Sequence, residues 1–445
     1  MAGRYKAYPE YKDSGVEWFD RVPKQWGLLR HKYVSNFYKG KNPSTLLDSQ
    51  KENTFRYLSM DYLRGGAEAK YAQIEAGSYV TDEGQILIIW DGSNAGEFVR
   101  GSSGILSSTM AAAELIYGIL PQFYWYVCAC LEPDMRKHAN GMGIPHVNGN
   151  ELRNSFLPIP LSCEQKQIAK FLDHETAKID LLIAKQQALI ALLKEKRQAV
   201  ISHAVTKGLN PEARMKDSGV EWLGEVPEHW KHSYLGFECS VKARLGWKGL
   251  KAEEYVDEGY VFLATPNIKG EAIDFTNVDR ITKERYDESP EIMLNEGDVL
   301  VTKDGSTTGT TNVVKELPEP ATVNSSIAVL RSFGQLDSLY LYYFFTSDFT
   351  QNVITRMRGG MGVPHLFQAD LKKFDVLVPP LIEQRKIAKH VEFEASVIDV
   401  LLRKAESAIE LMQERRTALI SAAVTGKIDV RSWTAPEEPV QKEEV

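Results

Sequence analysis

Two stretches of the chain carry apolar residues at helical spacing and contain neither glycine nor proline. Within Glu164 to Thr206 the apolar positions Ile179, Leu182, Leu189, Leu193 and Val200 follow a 3-4 rhythm. Within Glu383 to Thr425 the positions Ile398, Leu401, Ala408, Met412 and Leu419 do the same. Such a stripe predicts an amphipathic helix with a narrow, heptad-like face. Ser162 with Gln165 forms a capping box at the first start, but Leu381 stands at the matching place in the second, so that cap is not shared. Asp173 or Thr176, and Ser396 with Asp399, offer points where each helix restarts after a short first piece. A continuous helix from Ala177 to Val205 is then roughly 40 Å long at 1.5 Å per residue. Each helix has one stripe to bury. Charges such as Lys194, Glu195, Lys196 and Arg197 crowd its flanks. This favours a seam between the two helices, a coiled coil, over docking of each helix on its own globular neighbour.

The helices are two halves of a repeat. Twenty of the 43 positions in Glu164 to Thr206 are identical to those in Glu383 to Thr425. An opening motif, KDSGVEWFDRVPKQW from Lys12, returns as KDSGVEWLGEVPEHW from Lys216, with ten of fifteen positions identical. GMGIPH at Gly141 returns as GMGVPH at Gly360. The period is too long for a solenoid repeat and indicates duplicated domains. Between opening motif and helix lie short β-like runs, glycine-rich turns and aromatics. EGQILIIWDGS from Glu83 parallels EGDVLVTKDGS from Glu296, ILSSTMA parallels TVNSSIA, and FYWYV parallels YLYYF. One scaffold with diverged loops is what two separate recognition tasks require.

Composition adds limits. The chain has 445 residues, 43% hydrophobic and 25% charged, enough for several cores of ordinary globular type. The polar N-terminus lacks the apolar core of a secretory signal. The longest uncharged run, Leu115 to Leu131, is short for a bilayer and contains Pro121, so it is expected to be a buried helix. Four cysteines make no disulfide framework. The lone C-x-C at Cys128 and Cys130 argues against a metal site, and a reducing cytoplasm fits. The net charge of −7 disfavours wholesale coating of nucleic acid but leaves local basic patches open. The Pro- and Glu-rich end, 431–445, reads as an acidic disordered tail.

No catalytic motif stands out. There is no G-x-S-x-G elbow, no P-loop and no Asp/Asn-Pro-Pro-aromatic tetrapeptide of the amino-methyltransferases. An E-x-K fragment at Glu68 to Lys70 has no supporting context. His146 and His365 occupy equivalent repeat positions, but no carboxylate, Ser or Cys partner is apparent at a comparable repeated place. They are expected to shape the turn beside Pro145 and Pro364. The DGS loops offer hydroxyls and backbone donors suited to phosphate oxygens and groove edges. The candidate contacts in the first half are Trp90, Ser93, Asn94, Ser107 and Ser108, with the basic residues Arg30, His31, Lys32, Lys39, Lys41, Arg136 and Lys137. Those in the second half are Lys303, Ser306, Thr307, Thr308, Asn324 and Ser325, with Arg244, Trp247, Lys248, Arg356 and Arg358.

The order of these landmarks resembles the specificity subunit of type I restriction–modification enzymes. The resemblance rests on Pro160 with Glu164, Gln165 and Ile168, on Pro379 and Pro380 with Glu383, Gln384 and Ile387, and on the GDVLVTKDGS strand and loop. It covers all but the acidic tail. The first unit departs in having LPIPLSCEQ, without the paired prolines of the second. The family implies an α+β chain with α/β-type recognition domains at 1–161 and 209–380. Conserved helical spacers at 162–208 and 381–430 would form an antiparallel coiled coil with pseudo-two-fold layout. It implies a non-catalytic subunit whose two domains each read half of a bipartite, asymmetric site in double-stranded DNA. Two modification subunits would flip and methylate adenine, and two restriction subunits would supply motor and nuclease. S-adenosylmethionine, ATP and Mg would reside on those partners, with no cofactor or metal in this chain. The competing readings are a stand-alone bipartite DNA-binding or architectural protein, and a self-sufficient methyltransferase or nuclease. The missing tetrapeptide weighs against the latter. The opening motif is expected to mark the junction between rod and domain, with Trp18, Trp26, Trp222 and Trp230 packing it. The N-terminal segment would then dock where the second helix ends.

Overall fold

A computed structural model describes residues 5–16, 18–139, 144–244, 250, 252–357 and 364–436. The chain divides into two compact units, Met1–Gln186 with Ser407–Val445, and Gln187–Glu406.

In the first unit the strands are β1 (Tyr11–Val16), β2 (Phe19–Pro23), β3 (Gly27–Arg30), β4 (Ser35–Lys39), β5 (Phe55–Leu58), β6 (Lys70–Ala72), β7 (Val80–Thr81), β8 (Ile86–Ile89), β9 (Phe98–Arg100), β10 (Gly104–Leu106), β11 (Met110–Leu115) and β12 (Phe156–Ile159). Helices α1 (Met60–Leu63), α2 (Pro121–Lys137) and α3 (Gly149–Asn154) lie among them, and α4 (Ser162–Lys207) begins here. The central sheet has the order β4-β11-β8-β9, and a second sheet has β6-β5-β10-β7. All four residues of β8 are buried, so ILII reads as a continuous apolar run rather than an alternation. Helix α2 covers the sheet with Phe123, Tyr124, Tyr126, Val127 and Leu131. Each fully buried side chain of this size contributes about 1.5–3 kcal/mol. Pro121 starts α2 rather than interrupting it, because its missing N–H falls where a helix leaves donors unpaired.

The second unit repeats this wiring. Its strands are β13 (Met215–Asp217), β14 (Glu225–Pro227), β15 (Lys231–Tyr234), β16 (Cys239–Lys242), β17 (Tyr255–Leu263), β18 (Asp279–Ile281), β19 (Val299–Thr302), β20 (Thr311–Val313), β21 (Ala321–Val323), β22 (Ile327–Ser332) and β23 (Asp375–Val378). Helices α5 (Leu235–Glu238), α6 (Lys283–Asp287), α7 (Ser338–Thr346), α8 (Asp348–Met357) and α9 (Gln368–Lys372) precede α10 (Leu381–Val424). The central order β16-β22-β19-β20 matches β4-β11-β8-β9 strand for strand. The pairs β13-β14 and β15-β23 likewise match β1-β2 and β12-β3.

Both long helices are continuous, with no restart near Asp173 or Ser396. At 46 residues α4 is roughly 70 Å long. Tertiary packing of its first turns carries the helix through the weakly amphipathic start, where Ile168, Phe171 and Leu172 are buried. In the first unit Ile179 and Leu419 are buried in one core with Ile183 and Met412 against it, and Arg416 pairs with Asp180 at 2.8 Å. In the second unit Ile201 and Val205 share a core with Ile387 and Val391, and Arg197 pairs with Asp399 at 3.2 Å. In each unit the helices run antiparallel. Ile398 is also buried, and Leu193, Val200 and Ala408 are half-buried. Leu182, Leu189 and Leu401 instead stand 50%, 43% and 44% exposed, which corrects their assignment to the seam. The covered stripe runs through Ile183, Gln186, Ile190, Leu193 and Arg197 on α4, and through Leu402, Ala405, Ile409, Met412 and Arg416 on α10. At each slip the next residue, Ile183, Ile190 or Leu402, is the covered one and is just as apolar, so hydrophobicity alone does not fix the register.

Gln165 and Gln384 anchor the two helix starts in the same way. Gln165 donates to Pro160 O at 3.0 Å and accepts from Leu120 N–H at 2.8 Å. Gln384 donates to Pro379 O and accepts from Asp337 N–H, both at 2.7 Å. Gln165 thus fastens a strand, a helix start and α2 together, and does not serve as a capping box with Ser162. The opening motifs also fold alike. Lys216 donates to Trp230 O at 2.8 Å, and Lys12 to Trp26 O. Trp26 and Trp230 are buried. In the first unit Tyr11 donates to Gly426 O at 3.0 Å and Lys6 bridges Asp429, so the N-terminal segment does dock at the end of α10.

Candidate nucleic-acid interface

The two DGS loops are built the same way from the backbone up. After β8 the chain turns at Asp91 and Gly92, with Gly92 at φ +110°, a conformation that favours glycine. Trp90 N–H donates to Thr109 O, Gly92 N–H to Pro145 O at 2.9 Å, and Val147 N–H to Trp90 O at 2.9 Å. After β19, Lys303 N–H donates to Ser326 O, Gly305 N–H to Pro364 O at 3.0 Å, and Leu366 N–H to Lys303 O at 2.8 Å. Each loop is thus stapled to the segment that follows the GMG motif. The GMG triplets themselves lie outside the described residues.

Side chains complete the staple. His146 Nδ1 donates to Asp91 Oδ1 at 2.5 Å, and His365 Nδ1 donates to Asp304 Oδ1. The second carboxylate oxygen pairs with Lys39 at 2.6 Å in the first unit and with Lys303 at 2.7 Å in the second. Burial raises the Asp91 carboxyl, but the bonds from Lys39 and His146 outweigh it and hold the group below its usual range. The histidines therefore have a repeated carboxylate partner, contrary to the expectation from sequence. The partner lies 55 residues away in one unit and 61 in the other, but in both it is the aspartate of the repeated DGS loop, so the repeat itself held the signal.

Around the first loop the structure gathers Trp90, Ser93, Asn94 and Lys39. Ser93 is exposed, while Asn94 accepts from Arg136 at 3.2 Å. Arg136 also pairs with Glu132 at 3.1 Å, and Lys137 is exposed beside it at the end of α2. Ser107 is buried and bonds Thr109 Oγ1, whereas Ser108 is half-buried with its N–H on Asn42. Lys41 reaches Ala76 O at 2.7 Å. Helix α3 begins beside Trp90 and ends beside Arg30, which lies over Phe156 and contacts Asn154. Lys32 lies over the Tyr33 ring. His31 is fully buried on Tyr124 Oη at 2.6 Å, and burial pushes its imidazole down to about 3, so it is not a surface base.

Around the second loop Ser306 is exposed and Thr307 half-buried. Thr308 is buried and donates to Gly305 O at 2.6 Å, which makes it a brace of the loop rather than a surface contact. The turn of Asn324 and Ser325 abuts the loop through Ser326 O, and Asn324 caps Ser326 N–H at 3.0 Å. Arg244 lies over Phe262, and Arg356 is exposed in the last turn of α8. Trp247, Lys248 and Arg358 lie outside the described residues, as do 437–445 of the acidic tail.

Among the described residues one group, Asp134, His138 and Glu151, has the makings of a cation site. His138 Nδ1 lies 3.1 Å from Glu151 and 3.4 Å from Asp134. No helix among the described residues is long and apolar enough to cross a membrane.

Two copies of one sheet, each presenting a stapled polar loop, and a pair of long antiparallel helices define a duplicated recognition protein. The family model for the type I restriction modification DNA specificity domain matches residues 23–191 and 242–393. The chain belongs to this family and is a specificity subunit of the type I restriction–modification class. It is 28% identical to the MjaVIII specificity subunit of Methanocaldococcus jannaschii, over 93% of this chain and 95% of that one. It is 22% identical to the EcoBI specificity subunit of Escherichia coli, over 88% and 83%. A chain solved in work on complex assembly and conformational transition of the type I R-M system superposes with a TM-score of 0.68 at 17% identity. That match covers 92% of this chain and 99% of the other.

Proposed function

We propose that each unit reads one half of a bipartite, asymmetric site in double-stranded DNA. In this reading α4 and α10 set the length of the unread spacer and dock two modification subunits. The chain itself is non-catalytic. S-adenosylmethionine, ATP and Mg belong to the modification and restriction subunits. The domain limits are 1–161 and 209–380 for recognition, and 162–208 and 381–430 for the helices.

One observation carries this reading. The same stapled loop occurs in both units, following the equivalent strand of the equivalent sheet. Its tip keeps a serine, Ser93 or Ser306, and then differs, with Asn94 in one unit and Thr307 in the other. A shared frame with unlike tips suits two unlike half-sites, because frame contacts position and edge contacts specify. The match to specificity subunits over nearly the whole chain favours it over a stand-alone DNA-binding protein. In the assembled methyltransferase, S306A with T307A is expected to lower methylation at sites matched in one half only. Loss of partner assembly instead would argue for a structural role of the loop.

A further inference from the structure

The Lys–Asp–His cluster was not part of the sequence expectation, and its recurrence is informative. The histidines come from equivalent positions, but the lysines do not. Lys39 ends β4, whereas Lys303 directly precedes Asp304. Duplication preserves a backbone; it does not rebuild an ion pair from a new place. The loop tips meanwhile differ after the shared serine, at Asn94 and Thr307. Something common to both units therefore requires a carboxylate held between a lysine and an imidazole at the base of each loop.

The geometry says what that is. One carboxylate oxygen takes the His Nδ1 proton and the other takes the lysine, so both side chains have fixed directions. The imidazole side chains are 54% and 34% exposed, at the rim of each loop rather than in its core. The histidine also ties the segment after each GMG motif to the loop, in parallel with the backbone bonds from Gly92 and Gly305.

We infer that Asp91–His146 and Asp304–His365 are positioning pairs that set the two recognition loops for DNA, each pair serving one half-site and neither histidine reading a base. This rests on the two-half reading above.

The test uses the full chain assembled with its modification subunits. The probes are duplexes carrying the mapped site intact, with the first half scrambled, or with the second half scrambled. H146F and D91N are expected to reduce discrimination at one half by on the order of tenfold, the scale of a mismatched base pair. Discrimination at the other half stays unchanged, which shows that the chain is folded. H365F and D304N act on the opposite half. H146N keeps a donor where Nδ1 stood and restores discrimination. The salt dependence of binding is unchanged in H146F, whereas K39A lowers its slope by about one, as loss of a phosphate contact does. The inference is overturned if H146F leaves both halves equally well discriminated, if it impairs both equally, or if H146N behaves as H146F. Should the unsubstituted assembly itself fail to distinguish the scrambled halves, the two-half reading fails first, and visibly so.

Discussion

His31 shows how far a residue's surroundings can reverse its apparent role. Beside Arg30 and Lys32 it reads as part of a basic patch. In the fold the short helical turn His31–Tyr33 tucks it under α2, where it is neutral on Tyr124. Burial lowers its folded value to about 3 against an ordinary 6.5. The unfolded chain therefore takes up a proton as pH falls through 6.5 while the folded chain does not. Its contribution to stability is intact above 6.5 and is lost progressively between 6.5 and 3. The unfolding midpoint of the chain is expected to fall on acidification through this window, and H31N to fall less steeply. Equal slopes would show that His31 is not the group responsible. The loop residues teach a related lesson. Ser93 and Ser306 were legible because an Asp-Gly turn after an apolar strand exposes its next residue. Thr308 was not, since nothing in DGSTTG tells which hydroxyl turns inward to Gly305 O. His146 and His365 were singled out by repetition, and so were the DGS aspartates that partner them, but only the fold pairs the two.

At the scale of elements, the long helices were the clearest signal in the sequence, because 43 residues without glycine or proline leave few alternatives. Their seam was less legible. The register places Gln186, Arg197 and Arg416 among the partly covered positions while Leu182 and Leu189 face out. The buried amides at the helix starts are a sharper test of what holds these elements. Gln384 is fully buried and bonds Pro379 O, Gln335 O and Asp337 N–H. Q384A strands these groups and is expected to destabilise its unit by about 1–3 kcal/mol in chemical denaturation. Gly426 closes α10 at φ +73°, and a Cβ there would come within 2.4 Å of Pro23. G426A is expected to loosen the N-terminal segment from the end of α10. Faster amide exchange around Tyr8 and Tyr11 would show it, and unchanged protection would refute the dock. The Asp180–Arg416 pair is exposed enough that its removal should change stability by less than about 1 kcal/mol.

At the scale of the molecule, duplication was legible in the repeated motifs before any fold was known, and the matching strand orders bear it out. The recurrence of the opening motif was also legible, as a junction between long helix and domain packed by tryptophan. The motif folds as a hairpin whose buried tryptophan sits where one long helix ends, Trp26 near Gly426 and Trp230 near Gly208. If the helices measure the spacer, four residues inserted into both α4 and α10 should lengthen the unread gap and leave both half-sites as they were. Altered half-sites would contradict that role.

The central claim is that one chain reads two unlike halves. The most direct measurement is adenine-methylation mapping of DNA from cells that express this chain with its modification subunits, with and without S306A and T307A together. The account predicts a chain-dependent motif of two unlike halves separated by a fixed gap, with the substitutions relaxing one half only. A continuous or palindromic motif, or relaxation of both halves at once, would contradict it.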